Sequence, residues 1–372
     1  MPLTPTQRAK LQLSRTEGVG PLTYRRLLGR FASAQEALAE LPSLAKTAGR
    51  AITQVFPAEE AEREAAALAK LAGQFLFLDE PAYPLRLAQL PDAPPVLAVL
   101  GDPSILSGRL VGIVGARNAS ANGQRVAEAL AADLASQGVA VASGLARGID
   151  SAAHNGAMHT GRTVAAVAGG LDQPYPPENA GLQARIAENG AVVTEAPLGT
   201  APQSRHFPKR NRIIAGLSLG LVVVEAALRS GSLITARLAL DAGREVFAVP
   251  GSPLDPRCLG SNDLIRQGAH LTEGAADVLA HLSPEAAPRP LLPGFAEPPP
   301  DTPALHDLTQ VSAEIAGLLG ASPTEIDDLI RRSQFPASAV MAVLSQLELA
   351  LRVEILPGNR AMLLAQGPAT GR

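Results

Sequence analysis

Between Gln203 and Gly216 the sequence sets Arg205, Lys209, Arg210 and Arg212 around one aromatic residue, Phe207, with no carboxylate among them. Guanidinium and ammonium groups neutralise phosphate, and an aromatic ring stacks on a base. Asn211 adds an amide to the same stretch, and an apolar helical run, Ile213 to Leu219, follows. The cluster is therefore expected at the mouth of a helix, where free backbone amides attract the same anions. Taken alone, the segment reads equally well as a solvated basic loop.

Residues of similar chemistry recur after short apolar runs. They are Gly115, Ala116 and Arg117; Ser143, Gly144, Arg147 and Gly148; Gly169 and Gly170; and Gly231 and Ser232. One such turn says little, because tight strand-to-helix turns need glycine for backbone reasons alone. Several of them, with Arg117, Arg147 and the Lys209–Arg212 cluster, describe an anion-binding rim. A dinucleotide fingerprint is not among them. Gly112-Ile-Val-Gly115-Ala-Arg117 lacks the third glycine, and the next strand ends in Ser143-Gly144 rather than in the acid that binds a ribose diol.

Catalytic readings need a nucleophile or an acid–base pair. Asp150 and His154, four apart on one helix, can pair as orienter and base, and Glu195 and Glu225 each close a strand from which they can approach one another. A carboxylate that ties down loop amides or a neighbouring arginine explains each of these as well. No metal-ligand spacing is legible, and no cofactor or metal is expected.

The elements that must hold these residues follow from the pattern. Residues 1–72 read as a small helical domain, with Ala58 to Leu71 a strong helix. Its Gly18-Val-Gly-Pro21 turn reads first as an ordinary helix connection, although such turns also present amides to phosphate. Residues 73–282 read as one domain, in which proline-rich extended strands over 74–107 lead into a stretch from about Arg109 that alternates apolar strands with helices, which gives a mostly parallel sheet covered on both faces. Ligands on such sheets sit at the carboxyl ends of the strands, where the turns above lie. A proline-rich tether is expected over 283–304. Residues 305–372 read as three helices and a hairpin, a winged helix whose third helix, Pro336 to Leu349, has no Lys or Arg to read a groove. A protein-contact or accessory role is expected for it.

Composition narrows the partners. The net charge is −3, so nucleic-acid binding has to come from a local patch. Cys258 is the single cysteine, which excludes an internal disulfide and fits a reducing compartment. Met1 to Lys10 carries no signal-peptide core, and no run reaches the length of a membrane span, so a cytoplasmic protein without membrane contact is expected.

Several motifs occur in order. These are Gly115-Ala-Arg117, Ser143-Gly-Leu-Ala-Arg-Gly-Ile-Asp150 with His154, Tyr175-Pro176, Phe207-Pro-Lys-Arg-Asn-Arg-Ile-Ile214, Ser230-Gly-Ser-Leu-Ile-Thr-Ala236 and Pro250-Gly251. Together they resemble the DNA-processing protein A (DprA/Smf) family. The resemblance implies an α/β, extended Rossmann-like fold without an enzymatic role. The flanking N-terminal helical domain, of sterile-alpha-motif or helix-hairpin-helix type, and the C-terminal winged helix match longer family members. It implies binding of single-stranded DNA, protection of that strand and loading of the recombinase RecA onto it during natural transformation. The DNA contacts carried over are Gly115, Arg117 and the Phe207–Arg212 segment. A homodimer is implied through the end of the Rossmann domain, here Asn262, Leu264, Ile265 and, nearby, Leu271. A nucleotide-processing hydrolase or transferase, with Glu195 or Glu225 as acid or nucleophile, is the alternative. Against it, Ser230-Gly-Ser-Leu-Ile-Thr235 lacks the Gly-Gly-x-Gly-Thr phosphate loop of the phosphoribohydrolases that share this architecture.

Overall fold

The computed structural model describes residues 3–47, 55–282, 308–320, 322–333, 335, 337–349, 352–356 and 360–363. The chain divides into two compact units, Met1–Gln35 with Phe56–Ala286, and Glu36–Val55 with Ala287–Arg372.

Helix α1 (Pro5–Arg15) starts in a capping box, in which Thr4 Oγ1 accepts from the Gln7 amide and Gln7 Oε1 accepts from that of Thr4. Helices α2 (Pro21–Arg30), α3 (Ala34–Thr47) and α4 (Ala58–Lys70) follow. Next come β1 (Gln74–Phe77), α5 (Leu85–Ala88) and β2 (Val96–Gly101). Leu11 of α1 and Ala61 of α4 bury against Phe77 and Val96, which seats these two helices on the first strands. Arg15 strengthens that seat. It bonds both Glu64 oxygens, at 3.1 and 2.9 Å, and donates to the Glu195 carbonyl at 3.0 Å.

The alternating region runs β3 (Leu110–Gly115), α6 (Ala121–Ser136), β4 (Ala140–Ser143), α7 (Ile149–Thr160), β5 (Thr163–Ala166), α8 (Ala180–Asn189) and β6 (Ala191–Thr194). It continues with α9 (His206–Leu217), β7 (Gly220–Val224), α10 (Gly231–Asp241), β8 (Glu245–Ala248), α11 (Leu259–Arg266), β9 (His270–Leu271) and α12 (Ala275–His281). One sheet joins these strands in the order β1-β2-β6-β5-β4-β3-β7-β8-β9. The β1/β2 and β2/β6 pairs are antiparallel, and the pairs from β6 to β9 are parallel. Every residue of β5, β6 and β7 is buried, as helices on both faces require. One face packs Ile213, Ile214 and Leu217 of α9 and Ala236 and Ala239 of α10 against the sheet. The other packs Leu130 and Leu134 of α6 and Ala153 and Ala157 of α7.

Strands β4, β5 and β6 step outward from β3 on one side. The chain then returns through α9 to lay β7, β8 and β9 on the other. The strand order thus reverses between β3 and β7, and a ligand is expected at the carboxyl ends of that pair.

The basic segment is not a loop before a helix that begins at Ile213, because α9 already begins at His206. Pro208 falls in the first turn, where its missing N–H has no intrahelical partner to lose. The short elements α5, α11, α12 and β9 also lie where no element was read from the sequence.

The second unit carries α13 (Leu308–Leu318), β10 (Thr324–Glu325), α14 (Ile326–Ser333), α15 (Ala337–Leu349), β11 (Val353–Leu356) and β12 (Arg360–Leu363). Its antiparallel sheet, in the order β10-β12-β11, closes on Val311, Ile315, Leu329, Val340 and Leu344, a winged helix. The tether read over 283–304 and the turn at 357–359 lie outside the described residues. No described helix is long and apolar enough to cross a membrane.

Candidate functional site

Where β3 and β7 part, a cleft of about 710 Å³ opens. Its first wall is the turn after β3. Gly115 is required there by close packing, because a Cβ would stand 1.9 Å from the Val224 carbonyl oxygen of the neighbouring strand. Ala116 and Arg117 follow, and Arg117 is exposed. The second wall is the first two turns of α9, with Phe207, Pro208, Arg210 and Asn211. The third is the start of α10, where Ser230 caps the helix by accepting from the Ser232 amide, and Gly231 and Ser232 line the cleft.

Glu225 holds the switch point together. It ends β7 in a left-handed conformation, φ 51°, and its carboxylate accepts from the Ser120 amide at 2.8 Å and from the Ser120 hydroxyl. Ser120 in turn caps α6. The carboxylate ties the β3 side of the cleft to the β7 side, and its strained backbone sits at the site edge.

The cations divide into two groups. Arg117 lies over the Phe207 ring, 5.0 Å from its centroid, and no carboxylate among the described residues pairs with it. Lys209 is exposed on α9. Arg210, though it lines the cleft, is 5% exposed; its Nη1 donates to the Ala166 carbonyl at 3.0 Å and its Nε has no partner. Burial pushes the Arg210 guanidinium down and the Asp150 carboxyl up, and the two charges offset each other. Arg212 is a correction to the expected set of phosphate ligands. Its guanidinium is buried in an ion pair with Glu195 and donates to the Asp92 carbonyl, facing away from the cleft. Burial raises the Glu195 carboxyl pKa, and the Arg212 charge opposes the rise.

Other expected ligands also have inward duties. Ser143 is fully buried and its hydroxyl donates to the Ile113 carbonyl at 2.6 Å. Gly144 makes room for Arg210, whose Nη1 would lie 1.6 Å from a Cβ there. Gly148, at φ 74°, packs on the Ala116 and Arg117 carbonyls, and so supports the β3 turn from behind. Arg147 is exposed and paired with Glu178. Gly169 and Gly170 pack against residues 197–202. None of these six lines the cleft.

The acid–base pairs do not form. Asp150 accepts from the Gly144 amide at 3.1 Å and the Ala146 amide at 3.3 Å, whereas His154 Nδ1 meets Thr163 Oγ1 at 2.7 Å. Glu195 follows β6 and Glu225 follows β7, with β5, β4 and β3 between, so four strand spacings, about 19 Å, part them. One trio among the described residues, Glu225, Asp255 and Cys258, brings potential metal ligands within 4.8 Å of one another. Ser120 and Arg257 already satisfy its carboxylates, so the donor set does not call for an ion.

Two cleft cations were missed in the sequence, Arg229 and Arg257. Arg229 was findable, since it directly precedes the Ser230-Gly-Ser232 cradle. Arg257, paired with Asp255 at 2.8 Å, arrives from a loop whose path no local pattern reveals. Of the residues assigned to a subunit interface, Asn262 is bonded to the Gly251 backbone at 3.0 and 2.9 Å and Leu264 packs on the core. Ile265 is half-buried, and Leu271 is 51% exposed on the edge strand β9.

Comparison with known proteins agrees with this architecture. Residues 74–283 match the family model described as DNA recombination-mediator protein A. Residues 5–67 match a DprA-like N-terminal HHH domain and residues 298–359 a DprA winged helix domain. The chain is 46% identical over 202 residues to DNA processing protein DprA of Bacillus subtilis, covering 54% of this chain and 68% of that protein. To protein Smf of Escherichia coli it is 39% identical over 287 residues, 77% and 76% of the two chains. The DprA structure from Streptococcus pneumoniae superposes with a TM-score of 0.60 at 34% identity, covering 76% of this chain and 99% of that one. DprA from Helicobacter pylori, a structure described for its single-stranded DNA binding mode, superposes with a TM-score of 0.51 at 29% identity, covering 56% of this chain and 94% of that one. The chain belongs to the DNA recombination-mediator protein A (DprA/Smf) family.

Proposed function

We propose that the β3–β7 cleft binds single-stranded DNA without sequence preference, and that the protein protects this strand and passes it to the recombinase RecA during natural transformation. One observation carries the reading: Arg117, exposed and without a carboxylate partner among the described residues, stands over an aromatic ring at the topological switch point, in the cleft that the capped amino end of α10 also lines. Phosphates fit between that guanidinium, Arg229 and the α10 amides. The single-strand binding of the Helicobacter pylori relative supports the same ligand.

A binding role, rather than hydrolase or transferase chemistry, is supported by where the titratable groups are spent. Asp150, Glu195 and Glu225 each hold backbone or a neighbouring side chain. His154 is buried away from the cleft. A homodimer through the β9 edge and α11 is proposed with it, supported by Leu271 on a two-residue edge strand. RecA loading is proposed from family membership.

The test is fluorescence anisotropy with oligo-dT at two salt concentrations. Arg117→Ala is expected to weaken binding and to flatten the dependence of log K on log salt by about 0.7, the share of one phosphate on a single strand. Unchanged affinity at both salts would place the strand elsewhere. Base release from nucleoside monophosphates, followed in the same samples, is expected to stay at the uncatalysed rate.

A further inference from the structure

Phe207 is the aromatic that the basic segment offers to a base, yet its ring is already engaged. Arg117 lies over it at 5.0 Å and Arg210 at 5.9 Å from the centroid. Tyr175 leans on it with centroids 5.7 Å apart and planes at 59°. A base stacked on Phe207 has to displace a cation from the ring face or the ring beside it, and so gives up a favourable cation–π contact.

Tyr175 itself is differently placed. It lines the cleft and is 47% exposed, whereas Tyr24 and Phe77 are each 1% exposed, Tyr83 4% and Phe247 fully buried. The loop that carries it is pinned on its C-terminal side. Arg147 pairs with Glu178, and Asn179 Nδ2 donates to the Leu145 carbonyl at 2.8 Å and to Ser151 Oγ at 2.9 Å. Upstream, Gln183 Nε2 donates to the Leu171 carbonyl at 2.8 Å. An exposed ring on a loop fixed at both ends loses little freedom when a flat partner lands on it.

We infer that Tyr175 is the base-stacking residue of the cleft, taking an unpaired nucleobase of the strand whose phosphates lie along Arg117, with Phe207 as its backing. The inference deepens the single-strand reading and rests on it. Any base has a face for such a ring, so the contact is blind to sequence but requires that the base be unpaired. It also gives Arg147 and Glu178, which lie off the cleft, a purpose as the clip that holds the Tyr175 loop.

The experiment compares the full chain with Tyr175→Ala and Tyr175→Phe, on oligo-dT and on an abasic strand of equal length. On oligo-dT, Tyr175→Ala is expected to lose about fivefold to 150-fold in affinity, and Tyr175→Phe to stay within about twofold of the parent. Both keep the parent's salt slope, because no phosphate contact is removed. On the abasic strand Tyr175→Ala is expected to bind as the parent does. The inference is overturned if Tyr175→Ala binds oligo-dT like the parent, or if it weakens the abasic strand by the same factor. If the parent binds neither strand, the inference falls together with the single-strand reading. A parent that binds and responds to Arg117→Ala but not to Tyr175→Ala removes the inference alone.

Discussion

His154 shows how one buried side chain sets the response of this fold to acid. Thr163 donates its hydroxyl proton to the Val141 carbonyl at 2.7 Å, so its oxygen is left to accept from His154 Nδ1–H. That fixes the neutral Nδ1–H tautomer and leaves Nε2 buried with no partner. Burial, with the Arg210 charge nearby, lowers the imidazole pKa from 6.5 to about 3. Between those values the unfolded chain holds a proton that the folded chain does not. The resulting stability is fully present above pH 6.5 and is lost as the pH falls from there towards about 3. At about pH 5 the loss from this one group is about 2 kcal/mol. Urea unfolding at about pH 5 and at neutral pH should show it, and His154→Asn should narrow the difference between the two midpoints. An unchanged difference would mean that the imidazole is not held neutral.

At the scale of elements, α9 joins the cleft to the helical seat of α1. Phe207 and Arg210 face the cleft, while Arg212 turns inward to Glu195, whose carbonyl accepts from Arg15 of α1. Arg212→Ala leaves the Glu195 carboxylate without its partner, and it should cost about 3 kcal/mol in urea unfolding. Adding Glu195→Gln should recover a large part of that loss, because the stranded charge is gone. Affinity for oligo-dT should change little in either variant. A stable Arg212→Ala protein that no longer binds would instead make Arg212 a strand ligand. The same helix shows what the sequence could not disclose. The alternation of apolar runs was enough to read β3 to β8 and α6, α7, α8 and α10, because each strand is buried on both faces. Charge type was legible on α9, but its direction was not. Three cations on one helix point around its axis, and only the partners supplied by Asp92, Glu195 and the Ala166 carbonyl, all distant in sequence, show which are free.

For the whole molecule, the decisive quantity is how much positive charge stays unpaired in a chain of net charge −3. Arg117 and Arg229 line the cleft with no ion-pair partner among the described residues, and Lys209 is exposed on α9. If each neutralises one phosphate, log K against log salt should fall with a slope of about −2 for a single strand. The winged helix should add nothing to that slope. Its helix α15 has no Lys or Arg, and on α14 Arg331 pairs with Asp328 at its Oδ1 while Arg332 lies 3.6 Å from Oδ2. The full chain carrying Arg331→Ala and Arg332→Ala should therefore match the parent in affinity and slope on oligo-dT, and the parent should bind duplex more weakly because no unpaired base reaches Tyr175. A steeper parent slope that the double variant flattens would bring the winged helix into the binding surface, and the cleft could then no longer account for the affinity by itself.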